Sequence, residues 1–391
     1  MSALRLKDDI YWIGVKNPEL RVFDIIMETK KGTTYNAYLI DDEKVAIIDS
    51  VKNGYSDEFM CNIKDIIGDR NIDYIVVQHT ELDHSGSLKD LLEKYPDATI
   101  VGSNAAINYC KNILNREFKS IAAKQDLNLG KYTLKFINAP NLHWPDSIFT
   151  YLESEKILFT CDFFGSHYSP IDSIRDDINE EYYIEMKYYF DCIMGPFKRF
   201  VNMALGKIEN LECDIVAPSH GPIHTSDGID HCKNLYKEWA KEIIPEKNNI
   251  SIFYISAYGN TEYMAKFFGD KLRDNGFKVE VHDITEIGVT NAVALIEKCC
   301  GFLIGSPTIN QDAVEPSWHL LSYVNPIINR CKKVAAFGSY GWSGEGVPML
   351  TERLKSLKLD VMEGFNWKFV PSENEIKEAE EFINKYMEMF K

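Results

Sequence analysis

The chain has 391 residues, with 45% hydrophobic and 12% aromatic content, and 43 Lys and Arg against 59 Asp and Glu for a formal net charge of −16. That length predicts two or three domains with ample core, and the acidic balance argues against binding a nucleic-acid phosphate backbone. No apolar run approaches a membrane span, and the amino terminus, Met1 to Asp9, lacks the apolar core of a signal peptide; a soluble cytoplasmic protein is expected. The nine cysteines are scattered without a C-x-x-C. This spacing excludes a zinc ribbon or a rubredoxin module within the chain and reads as reduced, mostly buried thiols with no catalytic role.

Strand patterns dominate the first half, at residues 11–15, 34–40, 45–49, 74–77, 99–101, 134–137, 148–152 and 157–160. Helical patterns intervene at 58–67 and 87–95, and another runs over 228–243. Such a half predicts two sheets sandwiched between helices. The polar stretch Pro245-Glu246-Lys247-Asn248-Asn249 reads as a linker, which sets domains of 1–248 and 249–391. Beyond it, strands at 250–255, 278–283, 301–305, 333–338 and 365–370 alternate with helices at 261–275, 289–298, 314–328, 347–357 and 373–389. That alternation predicts a doubly wound parallel sheet of flavodoxin type.

The densest chemistry is His79-Thr80-Glu81-Leu82-Asp83-His84, directly after the apolar run Tyr74-Ile75-Val76-Val77. In an extended loop, side chains at alternate positions share a face, so His79, Glu81 and Asp83 are expected to point one way. His84 is expected to turn toward a second position as Ser85-Gly86-Ser87 open the next helix. Three later strand-end or turn residues complete a set of seven: His143, Asp162 and His220 in its Pro/Gly-shaped turn. Seven donors suit two ions, with Asp162 as the natural bridge. Four imidazoles, three carboxylates and one hydroxide nearly neutralise two divalent ions. Glu81 stands where zinc hydrolases of this pattern carry His, and a mixed His/carboxylate set favours redox iron over zinc. His167 and His224 read as supporting or surface histidines.

The second half carries three loops at the ends of its strands. Ser256-Ala257-Tyr258-Gly259-Asn260-Thr261 opens a helix with hydroxyls and backbone N–H groups and no lysine, which suits the single phosphate of FMN. Ser306-Pro307-Thr308-Ile309-Asn310 follows the third strand, and Ser339-Tyr340-Gly341-Trp342-Ser343-Gly344 follows the fourth. Aromatics among glycines allow close approach and stacking on a flat ring.

With these motifs the whole chain resembles a flavodiiron protein, also called an A-type flavoprotein: a metallo-β-lactamase-like αββα sandwich followed by a flavodoxin-like domain. The resemblance implies a non-haem diiron site with one iron on His79, Glu81 and His143, and the other on Asp83, His84 and His220. Asp162 would bridge them beside an oxo or hydroxo group, and water can replace His84. It implies a substrate pocket lined by the segment from Tyr188 to Pro196, where the Tyr189 hydroxyl would donate a hydrogen bond to bound oxygen. It further implies FMN, reduction of O2 to water or of NO to N2O, and a head-to-tail homodimer or a dimer of dimers. An external donor is expected, either reduced rubredoxin or a reduced deazaflavin (F420). A zinc-dependent hydrolase fused to an FMN domain and a non-enzymatic flavin electron carrier are the competing readings.

Overall fold

The computed structural model describes residues 3–175, 178–225, 227–242 and 244–391. The chain divides into two compact units, Met1–Lys241 and Glu242–Lys391.

Among the described residues, the first unit holds two large sheets. One runs in the order Leu4–Lys7, Ile10–Trp12, Tyr38–Ile40, Ala46–Ile48, Tyr74–Val77, Thr99–Gly102 and Lys119–Ala122. The other runs Leu127–Asn128, Thr133–Asn138, Ile148–Leu152, Ile157–Cys161, Ile215–Pro218 and His224–Thr225. The alternation of side chains along each strand explains the layering. Tyr38, Ile40, Ala46 and Ile48 face inward against Leu134, Ile148, Phe159 and Ala217 of the second sheet. Their neighbours Leu39 and Ile47 face outward, where Phe59, Ile63, Leu88 and Leu91 of helices Ser56–Ile67 and Leu88–Lys94 cover them. On the far side, Phe149, Leu158 and Val216 pack under Tyr182, Met186, Val201 and Tyr236. The unit is the expected αββα sandwich.

Two expected strands are each broken in two. Residues 11–15 divide into Ile10–Trp12 and Val15–Asn17, and residues 34–40 into Thr33–Tyr35 and Tyr38–Ile40. Asn36 is the cause. Its backbone N–H donates to the Ser219 carbonyl at 2.8 Å, outside the ladder. Its side-chain amide donates to the carbonyls of Pro218 (2.8 Å) and Gly221 (2.9 Å), and its Oδ1 accepts the Trp12 indole N–H at 2.9 Å. A buried amide with its capacity met in this way ties the first sheet to the turn that carries His220. The expected helix over 228–243 appears as Asp227–Trp239, and residue 243 lies outside the described residues.

The second unit is a parallel sheet in the order Lys278–Asp283, Asn249–Tyr254, Gly301–Gly305 and Lys333–Tyr340, the last pairing with both Asp360–Val361 and Phe365–Lys368. Phe253, Phe302, Ile304 and Ala336 pack on one face, and Ile252, Leu303, Ala335 and Phe337 on the other. This is the doubly wound flavodoxin arrangement, with the crevice at the carboxyl ends of the strands. The helix expected over 314–328 ends early, as Glu315–Tyr323. Asn325 precedes Pro326, whose ring disfavours helical backbone at that position, and the Asn325 side chain accepts the Ile327 N–H at 2.8 Å instead. The last strand stops at Lys368 rather than 370, because Phe369 adopts φ 55.

Candidate functional site: a paired His/carboxylate cluster and a crevice in the second unit

The structure brings all seven expected donors together in the first unit. Donor atoms of His79, Glu81, His143 and Asp162 lie within 4.8 Å of one another, and so do those of Asp83, His84 and His220. Asp162 joins the two groups. Its Oδ2 is 3.2 Å from His143 Nε2 and 3.7 Å from His79 Nε2, while its Oδ1 is 3.0 Å from His84 Nε2 and 3.5 Å from His220 Nε2. Within the groups, Glu81 Oε2 lies 3.1 Å from His143 Nε2, and Asp83 Oδ2 lies 3.0 Å from His220 Nε2.

The local folding differs from a uniformly extended loop. Glu81 is extended (φ −56, ψ 146), but Leu82–Ser85 forms a helical turn. Asp83 and His84 therefore point to the second group because they sit on that turn, and alternation operates only from His79 to Glu81. Asp162 leaves its ladder because Cys161, at φ 50, ends the strand. His220 sits before Gly221, at φ 77, where a Cβ would lie 2.2 Å from Ser166 Oγ; glycine is required there.

Three further residues hold the donors in place. The Asp146 carboxylate accepts from His79 Nδ1 at 3.1 Å, and from the Thr80 backbone N–H and hydroxyl at 2.8 and 2.7 Å. The Thr34 carbonyl accepts from His220 Nδ1 at 2.6 Å. Both contacts place the proton on Nδ1 and turn Nε2 toward the cluster. Asp49 accepts from the Gln78 N–H (2.8 Å) and amide (2.9 Å), anchoring the loop that begins at His79. Asp146 was visible in sequence as a carboxylate three residues after His143; Thr34 and Asp49 carried no such signal.

The electrostatics fit a cation pair. Burial opposes ionisation of Asp162, but the surrounding imidazoles outweigh it and hold the carboxyl well below its ordinary range. The same contest, with His143 and His79 as partners, lowers Glu81. Burial opposes protonation of His79, yet Asp146 and Glu81 raise it to about 10. Asp83 Oδ1 is buried without a hydrogen-bond partner, and His84 Nε2 faces only carboxylate oxygens, Asp162 Oδ1 at 3.0 Å and Asp83 Oδ1 at 3.4 Å. Buried lone pairs crowded in this way are costly unless something positive binds them. The mixed imidazole and carboxylate set, free of thiolate among its seven members, matches iron.

Tyr189 is buried, and its hydroxyl donates to Asp162 Oδ1 at 2.9 Å. His167 is buried as well, with Nδ1 3.0 Å from the Thr33 hydroxyl and its ring 5.1 Å from that of His220. Burial, then the neighbouring His220, hold its pKa well below the ordinary value.

His224 lies apart from the cluster. Its Nε2 is 3.1 Å from the Tyr182 hydroxyl and 3.2 Å from the Phe164 carbonyl, and its Nδ1 is 3.4 Å from the Cys232 thiol. Burial, opposed by the bond to Phe164, moves its pKa from 6.5 down to about 4. Between those values the unfolded chain binds a proton that the folded chain does not. The stability His224 contributes is therefore whole above pH 6.5 and is lost as the pH falls toward 4. The gap corresponds to roughly 3 kcal/mol. In urea titrations from pH 8 to pH 4, the stability advantage of the native chain over His224→Gln is expected to shrink by about that amount.

In the second unit, the crevice at the strand ends is a cavity of about 310 Å³. Of the expected residues, Tyr258, Asn260, Pro307, Thr308, Ile309, Asn310, Ser339, Tyr340, Gly341, Trp342 and Ser343 line it. Ser256, Gly259, Thr261, Ser306 and Gly344 are not among the lining residues. Ser306 Oγ accepts the Val314 N–H at 3.0 Å, and Thr261 Oγ1 lies 3.1 Å from Ser339 Oγ. Ala257 of the first expected loop lines the cavity too, and Gln311 and Phe369 line it without having been expected. Ser256 Oγ is buried and unpartnered at the start of helix Asn260–Asp274. Trp342 (77%) and Tyr258 (92%) stand exposed beside it. Large exposed aromatics around a polar helix start fit a flat ring carrying a phosphate.

A β-lactamase-type sandwich bearing a paired His/carboxylate cluster, joined to a flavodoxin-type sheet, defines a two-domain redox flavoprotein class. The model of the ODP family of beta lactamases matches residues 33–221, and that of flavodoxin matches residues 252–383. The chain is 43% identical to the flavo-diiron protein FprA2 of Clostridium acetobutylicum, over 98% of both chains. It is 31% identical to the anaerobic nitric oxide reductase flavorubredoxin of Vibrio vulnificus, over 97% of this chain and 78% of that one. The structure of rubredoxin oxygen:oxidoreductase from Desulfovibrio gigas superposes with a TM-score of 0.70 at 28% identity, covering 100% of this chain and 98% of that chain. The chain belongs to the flavodiiron (type A flavoprotein) family. It is accordingly an oxidoreductase with a diiron centre and FMN as cofactors, which sets aside the zinc hydrolase and the non-enzymatic carrier.

Proposed function

We propose that the protein reduces O2 to water and NO to N2O at two irons held by the seven residues around Asp162, with electrons delivered through FMN in the 249–391 domain. The observation that carries this reading is the sharing of Asp162 between two donor groups, which suits two ions about one carboxylate. One iron would be held by His79, Glu81 and His143, and the other by Asp83, His84 and His220. When bound, the irons and the flavin supply the electron storage: four electrons and four protons take O2 to two waters, and two of each take two NO to N2O and water.

The chain's own residues position, protonate and exclude. Asp146 and the Thr34 carbonyl orient two imidazoles, and the Tyr189 hydroxyl, donating to Asp162 Oδ1, places a proton donor on the shared carboxylate. Phe23, 4.3 Å from the His167 ring, covers the cluster with apolar surface. Around it Ile25 (92%), Ile26 (82%) and Leu82 (59%) are exposed. Such a patch beside a redox site supports a docking face, and we place there the second subunit of a head-to-tail homodimer, or of a dimer of dimers. Its flavin would supply the electrons, drawn in turn from reduced rubredoxin or a reduced deazaflavin. No helix among the described residues is long and apolar enough to cross a membrane, and the nine cysteines are all free, which supports a reducing cytoplasmic setting.

Amperometry on iron- and FMN-replete protein with reduced rubredoxin tests this. Sustained loss of O2 without peroxide, and of NO with N2O formed, is expected. Release of peroxide in amounts equal to the O2 consumed, or no consumption of either gas, would contradict the reading.

A further inference from the structure

Phe369 combines three features that its place at the end of a strand does not require. It adopts φ 55, a left-handed conformation that bulky L residues rarely take. Its side chain is 61% exposed. It also lines the 310 Å³ cavity together with Tyr258, Ile309, Tyr340 and Trp342. Strained backbone persists where neighbours impose it, and a backbone hydrogen bond does so here. The Phe369 N–H donates to the Tyr340 carbonyl at 2.8 Å. Gly341 removes the obstacle to the ring: a Cβ there would stand 3.2 Å from Phe369 Cε1 and 3.4 Å from Cζ. The hydrogen bond fixes the backbone, and the glycine leaves room for the phenyl ring at the edge of the cavity. A flat aromatic ligand covering that ring would remove its apolar surface from water, which is favourable.

We propose that Phe369 is a flavin-contacting residue, contributed from just past the strand Phe365–Lys368, that sets the affinity for oxidised FMN and thereby lowers the flavin's midpoint potential. The inference rests on the reading of this crevice as the FMN site. An electron-rich phenyl face favours the electron-poor oxidised ring over the electron-rich reduced one. Tighter binding of the oxidised form holds the potential down.

The test uses the full chain, stripped of FMN and titrated back with FMN while flavin fluorescence is followed. Phe369→Gly tolerates φ 55 and removes the ring, whereas Phe369→Tyr keeps it. The glycine variant is expected to bind oxidised FMN about tenfold more weakly, with Phe369→Tyr within about twofold of the native chain and both unfolding at the native temperature when FMN-free. If reduced FMN binds unchanged, the two-electron midpoint rises by about 30 mV for that tenfold loss. Native affinity in Phe369→Gly, or equal weakening in Phe369→Tyr, overturns the role of the ring. Failure of the native chain itself to bind FMN would instead overturn the assignment of the crevice, and this inference with it.

Discussion

Asp162→Ala is expected to empty the cluster and abolish turnover together. Asp162 is the residue whose two oxygens face four imidazoles, at 3.0 to 3.7 Å. Removing one partner from a buried ionic network leaves the others uncompensated, at a cost of about 3–5 kcal/mol. As a loss of metal affinity, that is roughly 10²–10⁴-fold. The Tyr189 hydroxyl loses its acceptor as well. Because Asp162 lies on the edge of the inter-sheet core without being part of it, the αββα fold is expected to persist. Iron per chain, measured by elemental analysis beside O2 consumption, checks this. Retention of two irons with activity intact would show that Asp162 is not shared.

Asp146→Ala is expected to act on one ion only. Its carboxylate satisfies His79 Nδ1 and both donors of Thr80, and all three residues are buried. Without it, the His79 ring is free to rotate or to change tautomer, and the Thr80 N–H is left unpaired. Loss of a carboxylate behind a metal-facing histidine typically costs 10–100-fold in affinity, and about that loss is expected here. It should fall on the ion facing His79, Glu81 and His143, leaving the ion facing Asp83, His84 and His220 in place. Competition with a graded chelator is expected to remove one iron early and the second at the native concentration. Equal weakening of both would mean that Asp146 supports the loop as a whole rather than His79 in particular.

The donor set was legible in sequence because its members announce themselves locally. His79, Glu81, Asp83 and His84 cluster after an apolar strand, while Asp162 and His220 end strand-like runs. What holds the donors was illegible because it acts over long distances in sequence. Asn36 looks like a polar interruption of a strand until its amide is seen on Pro218 and Gly221, and Asp49 looks like a strand terminus until it meets Gln78. Tertiary hydrogen bonding overrides local pattern at such points. Phe369 was read as one more residue of the last strand, since a positive φ in a non-glycine residue leaves no trace in periodicity. Alternation places Asp83 on the face of His79 and Glu81, but the helical turn Leu82–Ser85 aims it the other way, into the group with His84 and His220, where only the family resemblance had put it.

The most direct test of the central claim is a crystal structure of the metal-replete protein with anomalous scattering recorded on both sides of the iron edge and of the zinc edge. Two iron peaks are expected, one among His79, Glu81 and His143 and one among Asp83, His84 and His220, with Asp162 contacting both. A single peak, or peaks that follow the zinc edge, would contradict a diiron centre at these residues.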